Sequence, residues 1–386
     1  MRLGIDASNL RTGGGVTHLV ELLRTADPST HGFSQVVGWG GEALLDRIED
    51  RPWLVKSRQA LLDRGLPFRA FWQRFELSGL ARTTGCDVVF VPGGAYAGNF
   101  HPVVTMSRNM LPFEWRELRR YGCSFIGFRL MLLRWIHARS FRRADGLVFL
   151  TRYASEAVMR VVQARQGRIT IVPHGVDDAF VAAPREQQSI EAYSPERPFR
   201  FVYVSIVDFY KHQWHAAEAI AKLRKEGLPV VLDLVGPAYP PALRRLKSAL
   251  ARLDPAGTFI RYAGPAPHGE LPAVYRNADA CMFASSCESM PNILLEGMAS
   301  GLPIACSDRG PMPEVLGDAG VFFDPENPES IAAAARSLVF SPQLRAKLAR
   351  AAFERAQAFS WRRCADSTFA FLAEVALARP ATTGRD

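Results

Sequence analysis

At 386 residues, with 48% hydrophobic and 22% charged side chains, the chain has room for two domains with cores of their own. Its formal charge of +9 favours an anionic partner: a nucleotide, a nucleic acid or an acidic membrane surface. No run of about 18 uninterrupted apolar residues occurs, which excludes a membrane-spanning helix, and the six cysteines (86, 123, 281, 287, 306 and 364) follow neither zinc spacing nor a disulfide framework.

Met1 leads straight into a predicted strand, Leu3-Gly-Ile-Asp6, with no apolar leader. Together with cysteines read as reduced and packed, this points to a cytoplasmic chain. Gly13-Gly14-Gly15 then forms a loop before an amphipathic helix over Val16 to Leu23. His18 stands where a dinucleotide fingerprint would have its third glycine, and no Walker sequence occurs. Such a triplet lets backbone N–H groups approach a ligand, or serves only as a tight connection.

Asp87-Val-Val-Phe-Val91 before Pro92-Gly-Gly94, Val103-Val-Thr105 and Gly146-Leu-Val-Phe-Leu150 predict further strands. Their alternation with helices makes residues 1–177 a doubly wound α/β domain, closed by Ile169 to Asp177. Within it, Phe113 to Arg143 holds eight arginines against Glu114 and Glu117, with Phe125, Phe128, Leu132 and Trp135 at helical spacing. The pattern suits an interfacial helix on an anionic membrane, or a core-facing helix with a solvated basic face.

Residues 178–197, polar and proline-bearing, read as a linker. A second α/β domain over 198–360 follows: strand Phe199 to Val204, a helix around Ala216 to Glu226, strand Val230 to Val235 ending at Gly236, and strand Thr258 to Tyr262 ending at Gly264. His212 and His215 lie three apart without a nearby third metal ligand, and His174 reads as structural. Pro342 to Leu377 is predicted helical around Phe359-Ser-Trp361. Residues 361–378 form a last helix returning to the first domain, and a frayed tail begins at Pro380.

The densest signal is Glu288-Ser-Met-Pro-Asn-Ile-Leu-Leu-Glu296, set between a buried strand (Asp279 to Cys287) and the next strand (Gly301 to Asp308). With Ser289 as N-cap and Pro291 in the first turn, the eight-residue offset spans about 12 Å of helix. Both acids then lean to one side at different depths, with helix N–H groups between them for an anion. A carboxylate for hydroxyls, an anion cradle and a second carboxylate fit a nucleotide-sugar: sugar, diphosphate, ribose. Two solvated glutamates on an amphipathic helix have the same spacing. The carboxyl edge of a parallel sheet is what singles this pair out.

With these residues the chain resembles glycosyltransferase family 4, retaining enzymes of the GT-B fold with two Rossmann-like domains facing a cleft. The resemblance runs through Gly13-Gly-Gly-Val16, Val172-Pro-His-Gly-Val-Asp177, Tyr203-Val-Ser-Ile206 with Lys211 beyond it, Leu234-Val-Gly236, Glu288 to Glu296, Gly310-Pro-Met-Pro-Glu314 and Asp318 to Asp324. It implies that Glu288 faces the transferred sugar, that Glu296 holds the ribose, and that Ser289, Met290, Pro291 and Asn292 hold the diphosphate through their backbone. Lys211 would neutralise the leaving diphosphate, beside Ser205, with Gly14 and Gly15 approaching the same phosphates. The chain departs from the family where Ser205-Ile206 stand in place of Gly-Arg, leaving Arg309 as a candidate second cation. It departs again after Val103-Val-Thr-Met106, where Arg108 or Asn109 replaces the usual histidine.

The resemblance implies a retaining transferase moving a hexose or deoxyhexose from a nucleotide-sugar to a lipid-linked glycan acceptor, with a glycan or a polyprenyl-linked acceptor as partner, in bacterial surface polysaccharide synthesis. No metal or further cofactor is expected, nor a nucleic-acid partner. An anionic membrane surface on the inner face is expected to dock through 113–143. A nucleotide-sugar hydrolase or epimerase of the same fold would turn over donor alone and has no need of the basic surface. From another class, a nucleic-acid-binding protein would spread its charge and carry a recognition motif, and a sugar-binding module without catalysis would not need Glu288, Glu296 and Lys211 together.

Overall fold

Seven parallel strands form the first sheet of the computed structural model, which describes residues 1–11, 13–163 and 167–378. They are β1 (Arg2–Asp6), β2 (Gln35–Gly40), β3 (Leu54–Arg58), β4 (Val88–Val91), β5 (Val103–Ser107), β6 (Gly146–Phe149) and β7 (Arg168–Ile171), in the order β3-β2-β1-β4-β5-β6-β7. Six more, β8 (Phe199–Val204), β9 (Val230–Val235), β10 (Ile260–Gly264), β11 (Ala280–Phe283), β12 (Ile304–Ser307) and β13 (Val321–Phe323), form a second parallel sheet, β10-β9-β8-β11-β12-β13. Helices cover both sheets, so central strands such as β4 and β11 are buried along their whole length and read as continuous apolar runs. The fold is α/β in two doubly wound units. The predicted tail from Pro380 lies outside the described residues.

In each sheet the winding reverses at one place: between β1 and β4, where Leu3 pairs with Val88, and between β8 and β11, where Ala280 pairs with Phe201. At such a switch point the loops after neighbouring strands run off in opposite directions and open a crevice at the carboxyl ends. The Gly13–Gly15 loop follows β1; Ser205 and Lys211 follow β8; Glu288 follows β11. The topology therefore carries the residues of the two sequence motifs of the second unit to one edge.

Several elements depart from expectation. The sequence reading passes over β2, β3 and β13: the apolar run of β2 is interrupted by Gly38 and Gly40, and β3 is an edge strand with three of its five residues polar. The last predicted helical region is two helices, Pro342–Ala356 and Trp361–Leu377, the second capped by Ser360, whose hydroxyl accepts from the Arg363 N–H.

The chain divides into one unit of residues 1–113, 123–175 and 360 onward, and a second of 114–122 and 176–359. Residues 114–122, read from sequence as part of the first half, cluster with the second. Tyr121 donates to Asp208 (2.9 Å) and packs on Phe209, and Arg120 reaches Glu326 (2.9 Å). Residues 178–197, expected as a linker, also pack there. Tyr193 meets Phe199 at 5.2 Å between ring centroids, and Arg345 donates to Gln187 (2.9 Å).

Candidate functional site

In the second unit, Asp208 organises the loop after β8. Its side chain accepts from Phe209 N–H (2.7 Å) and its carbonyl from Lys211 N–H (3.1 Å). The Tyr203 hydroxyl donates to the Lys211 carbonyl at 2.7 Å, and Ser286 N–H donates to Tyr210 at 2.8 Å. His212 then turns the chain into the helix Gln213–Lys225 with φ of 52°, left-handed backbone that a non-glycine residue adopts only at a cost of about 1–3 kcal/mol. A hydrogen bond between its Nε2 and Ser286 Oγ (2.9 Å) holds it there.

These supports fix Lys211, which is 4% exposed, so that its Nζ donates to Glu288 Oε1. The ammonium also lies 5.1 Å from the Tyr210 ring centroid and 5.2 Å from that of Phe283. A buried charge needs a partner and this one has a carboxylate and two ring faces. Ser205, directly after β8, is buried, its hydroxyl donating to the Ile206 carbonyl (3.1 Å). The backbone there admits no side chain on Gly236: a Cβ would fall 2.1 Å from the Ser205 carbonyl oxygen.

Glu288 and Glu296 do not share a helix. The helix runs Asn292–Ala299 with Pro291, not Ser289, at its N-cap. Proline keeps Met290 out of helical backbone, and Asn292 N–H closes a turn on the Met290 carbonyl (3.1 Å). Glu288 thus sits on the connection with Ser289 and Met290, both buried, while Glu296 lies in the second helical turn. Glu296 accepts from the Tyr275 hydroxyl (3.2 Å), with His268 Nε2 at 3.9 Å. Burial, with the Asp177 charge adding and the Tyr275 bond opposing, pushes its carboxyl up to about 8. Sequence reasoning missed Tyr275, His268 and Asp208, which come from outside the motif.

In the first unit, the helix Gly14–Thr25 opens two residues earlier than predicted, after Gly13 at φ 70°. Gly15 is pressed by Arg108, which follows β5: a Cβ at Gly15 would lie 2.6 Å from Arg108 Nη1. Burial lowers the Arg108 guanidinium to about 10, and its Nε finds no acceptor among the described residues. Of the two candidates for the missing histidine, Arg108 therefore sits on the glycine loop, whereas Asn109 faces a separate cavity and caps Leu111 N–H (3.1 Å). His18 and His174 meet at 4.8 Å between ring centroids, tilted by 35°, and both meet Trp361 in a buried aromatic cluster behind the loop.

The remaining candidates are occupied. His215 bonds the Pro325 carbonyl (3.0 Å) and stacks on His212. Arg309 pairs with Asp308 (3.2 Å) and Asp324 (3.1 Å). In the basic stretch, Arg116 and Arg120 both bind Glu326 (2.5 and 2.9 Å), and Arg134 donates to the Pro112 carbonyl. Among the described residues, no helix is long and apolar enough to cross a membrane.

Two family models match nearly end to end: "Glycosyltransferase Family 4" over residues 12–180 and "Glycosyl transferases group 1" over 184–355. O-antigen chain mannosyltransferase B of Escherichia coli is 33% identical over 110 residues, 28% of this chain and 29% of that protein. Glycogen synthase of Mycobacterium tuberculosis is 27% identical over 364 residues, 89% and 82% of the two chains. The chain spans about half the length of the D-inositol 3-phosphate glycosyltransferases it also matches. Among solved structures, sucrose-phosphate synthase from Thermosynechococcus elongatus aligns with a TM-score of 0.73 at 17% identity, over 95% of this chain and 97% of that one. WaaG, a glycosyltransferase involved in lipopolysaccharide biosynthesis, aligns at 0.67 and 14%, over 96% and 99%. Anabaena Alr3699/HepE in complex with UDP aligns at 0.67 and 16%, over 97% and 99%.

Proposed function

Since the chain belongs to the family 4, group 1 glycosyltransferases and has the GT-B fold, we propose that it is a retaining hexosyltransferase, moving a sugar from a nucleotide-sugar to a lipid-linked glycan in bacterial surface polysaccharide synthesis. The observation that carries this reading is the buried Lys211–Glu288 pair at the switch point of the second sheet. Donor binding exchanges partners: the diphosphate takes the Lys211 ammonium, and Glu288 turns to the sugar hydroxyls. As the bond to the sugar breaks, negative charge grows on the diphosphate, and a fixed, desolvated cation stabilises it most at that moment. With attack from the same face, the leaving phosphate takes the acceptor proton and no protein base is required. Glu296 holds the ribose, Ser289 to Asn292 and Ser205 contact the diphosphate, and Arg108 with Gly14 and Gly15 supplies the first unit's contacts to the donor.

The acceptor class is supported by the first unit's surface. On the helix Phe125–Arg143, one stripe (Phe125, Phe128, Met131, Trp135) is exposed beside Arg129, Arg139, Arg142 and Arg143, a composition that docks on an anionic bilayer. A thermal-shift panel of nucleotides and nucleotide-sugars tests the donor reading, since a ligand bound to the folded state raises the melting temperature. UDP-sugars head the panel because one similar solved structure holds UDP. The expected result is stabilisation by one donor, followed by transfer with the anomeric configuration kept. Inversion at the anomeric carbon, or rapid donor consumption that no acceptor accelerates, overturns it, the latter in favour of a hydrolase or epimerase.

A further inference from the structure

A cavity of about 700 Å³ lies between the helices Leu66–Phe75 and Phe125–Arg143 of the first unit. Each helix gives it one face at helical spacing: Leu66, Arg69 and Gln73 from the first; Arg129, Leu132, Ile136, Arg139 and Arg143 from the second. With Arg74, five arginines line it, and among the described residues no aspartate or glutamate does. Arg116 and Arg120 have Glu326, but none of these five pairs with a carboxylate among the described residues. Arg69 donates to the Ser8 carbonyl (3.2 Å) and Arg74 lies over the Phe75 ring (5.4 Å). Asp6, behind the floor, is buried and held by Ser8 N–H and Gln73. His137, at the back, is lowered to about 4 by burial and stays neutral.

Five like charges around one hollow repel one another, and the arrangement becomes favourable only when an anion enters. One wall is apolar, made by Leu66, Ala70, Leu132, Leu133, Trp135 and Ile136, while the polar Asn9, Gln73, Asn99, Asn109, His137 and Ser140 line the rest. A nucleotide satisfies the arginines and wastes the apolar wall; a neutral lipid does the reverse. A phosphate ester of a hydrocarbon chain satisfies both. Next to the cavity-facing side, each helix also exposes an aromatic stripe, Phe68, Phe71 and Phe75 on one and Phe125, Phe128 and Trp135 on the other. Exposures of 45–81% on these six are what residues at a bilayer surface show.

We propose that this cavity is the acceptor site, and that the acceptor is a glycan carried on a polyisoprenyl diphosphate. Arg69, Arg129, Arg139 and Arg143 hold the diphosphate, and the first isoprene units lie on Leu66, Leu132 and Trp135. Asn109, at the lining, is placed to meet the sugar. The assignment rests on the lipid-linked reading above and narrows it to one headgroup and one site.

The test titrates the full chain with farnesyl diphosphate, inorganic diphosphate and farnesol, following Trp fluorescence and calorimetry. Farnesyl diphosphate is expected to bind at least tenfold more tightly than either half-ligand. Arg139→Glu with Arg143→Glu should weaken it at least tenfold, and the milder Arg139→Gln with Arg143→Gln by less, both leaving the affinity for nucleoside diphosphate unchanged as proof of folding. Leu132→Asn should weaken farnesyl diphosphate and spare inorganic diphosphate. Equal binding of inorganic and farnesyl diphosphate would make this a plain anion site. Full competition by vesicles of anionic phospholipid at equal headgroup concentration would make it a bilayer contact, and indifference to charge reversal would remove the ligand from the cavity. Each of these overturns the proposal. If farnesyl diphosphate binds as expected but no sugar is transferred to a prenyl-diphosphate-linked acceptor, the transfer reading fails and the binding site stands. If transfer proceeds equally in wild type and the charge-reversed variant, the site fails and the transfer reading stands.

Discussion

The two units handle charge in opposite ways. In the second, Lys211 is matched by Glu288 inside the protein and Glu296 is bonded to Tyr275. In the first, five arginines share a cavity that no carboxylate lines among the described residues. A buried cation cannot wait without a partner, because desolvation costs several kcal/mol per ion. Arginines at a half-open cavity can wait, because water covers them until a ligand arrives. The first arrangement suits a group whose position must be fixed to act on a transition state. The second suits capture of an anion that brings its own compensation.

The sharpest way to break this contrast is Lys211→Ala. Turnover is expected to fall about 10²–10³-fold, with the donor KM changed only a few-fold. The variant also strands Glu288, so the double change with Glu288→Gln should melt higher than Lys211→Ala alone. Near-normal turnover with only a raised KM would make Lys211 a ground-state contact.

Glu296→Ala comes next. Loss of the carboxyl that bonds the ribose should weaken nucleoside diphosphate binding about tenfold, and more above about pH 8, where the carboxyl is ionised. Glu288→Gln should leave that binding intact and abolish transfer; equal losses in calorimetry would erase the division between the two acids. Glu296 also predicts a pH dependence. With its folded value at about 8 and an unfolded value near 4.5, the folded state holds the extra proton between those limits. Its stabilising contribution is complete below about pH 4.5 and is lost as pH rises to 8. Melting curves of Glu296→Gln should therefore fall less steeply from pH 5 to 8 than those of the wild type.

The smallest effect concerns the first unit's surface. Phe128→Ser, which removes a ring that is 70% exposed, should lower partitioning onto anionic vesicles roughly tenfold and leave nucleotide affinity unchanged. Equal co-sedimentation would return this stripe to an ordinary solvated face.

The sequence carried the donor half further than the acceptor half, for a physical reason. Lys211, Ser205 and Glu288 to Glu296 follow neighbouring strands of one sheet, so the strand-and-loop pattern alone brings them together. Misplacing the helix start at Ser289 came from weighing its capping preference above the restriction Pro291 puts on Met290. The cavity of the first unit has no local signature. Arg69 and Gln73 lie on a helix the pattern did not reveal, and only tertiary packing sets them across from Arg139. Likewise, nothing in residues 114–122 announces that Tyr121 bonds Asp208, a partner 87 positions away.

The path of the chain has a consequence for the order in which the protein assembles during synthesis. It passes between units at 113/114, 122/123, 175/176 and 359/360, and the final helix, Trp361–Leu377, returns to the earliest-made part. There Phe369 meets Phe33, Trp361 meets His18, and Phe371 lies against Gly146. The first unit emerges first yet cannot close its core until residue 377 has left the ribosome, whereas all but one short segment of the second is contiguous and can fold while synthesis continues. For many seconds, at about 5–20 residues added per second, the unfinished unit exposes the apolar surface that this helix will cover. A nascent chain halted before residue 361 should hence bind chaperones through its first half while its second half already resists protease.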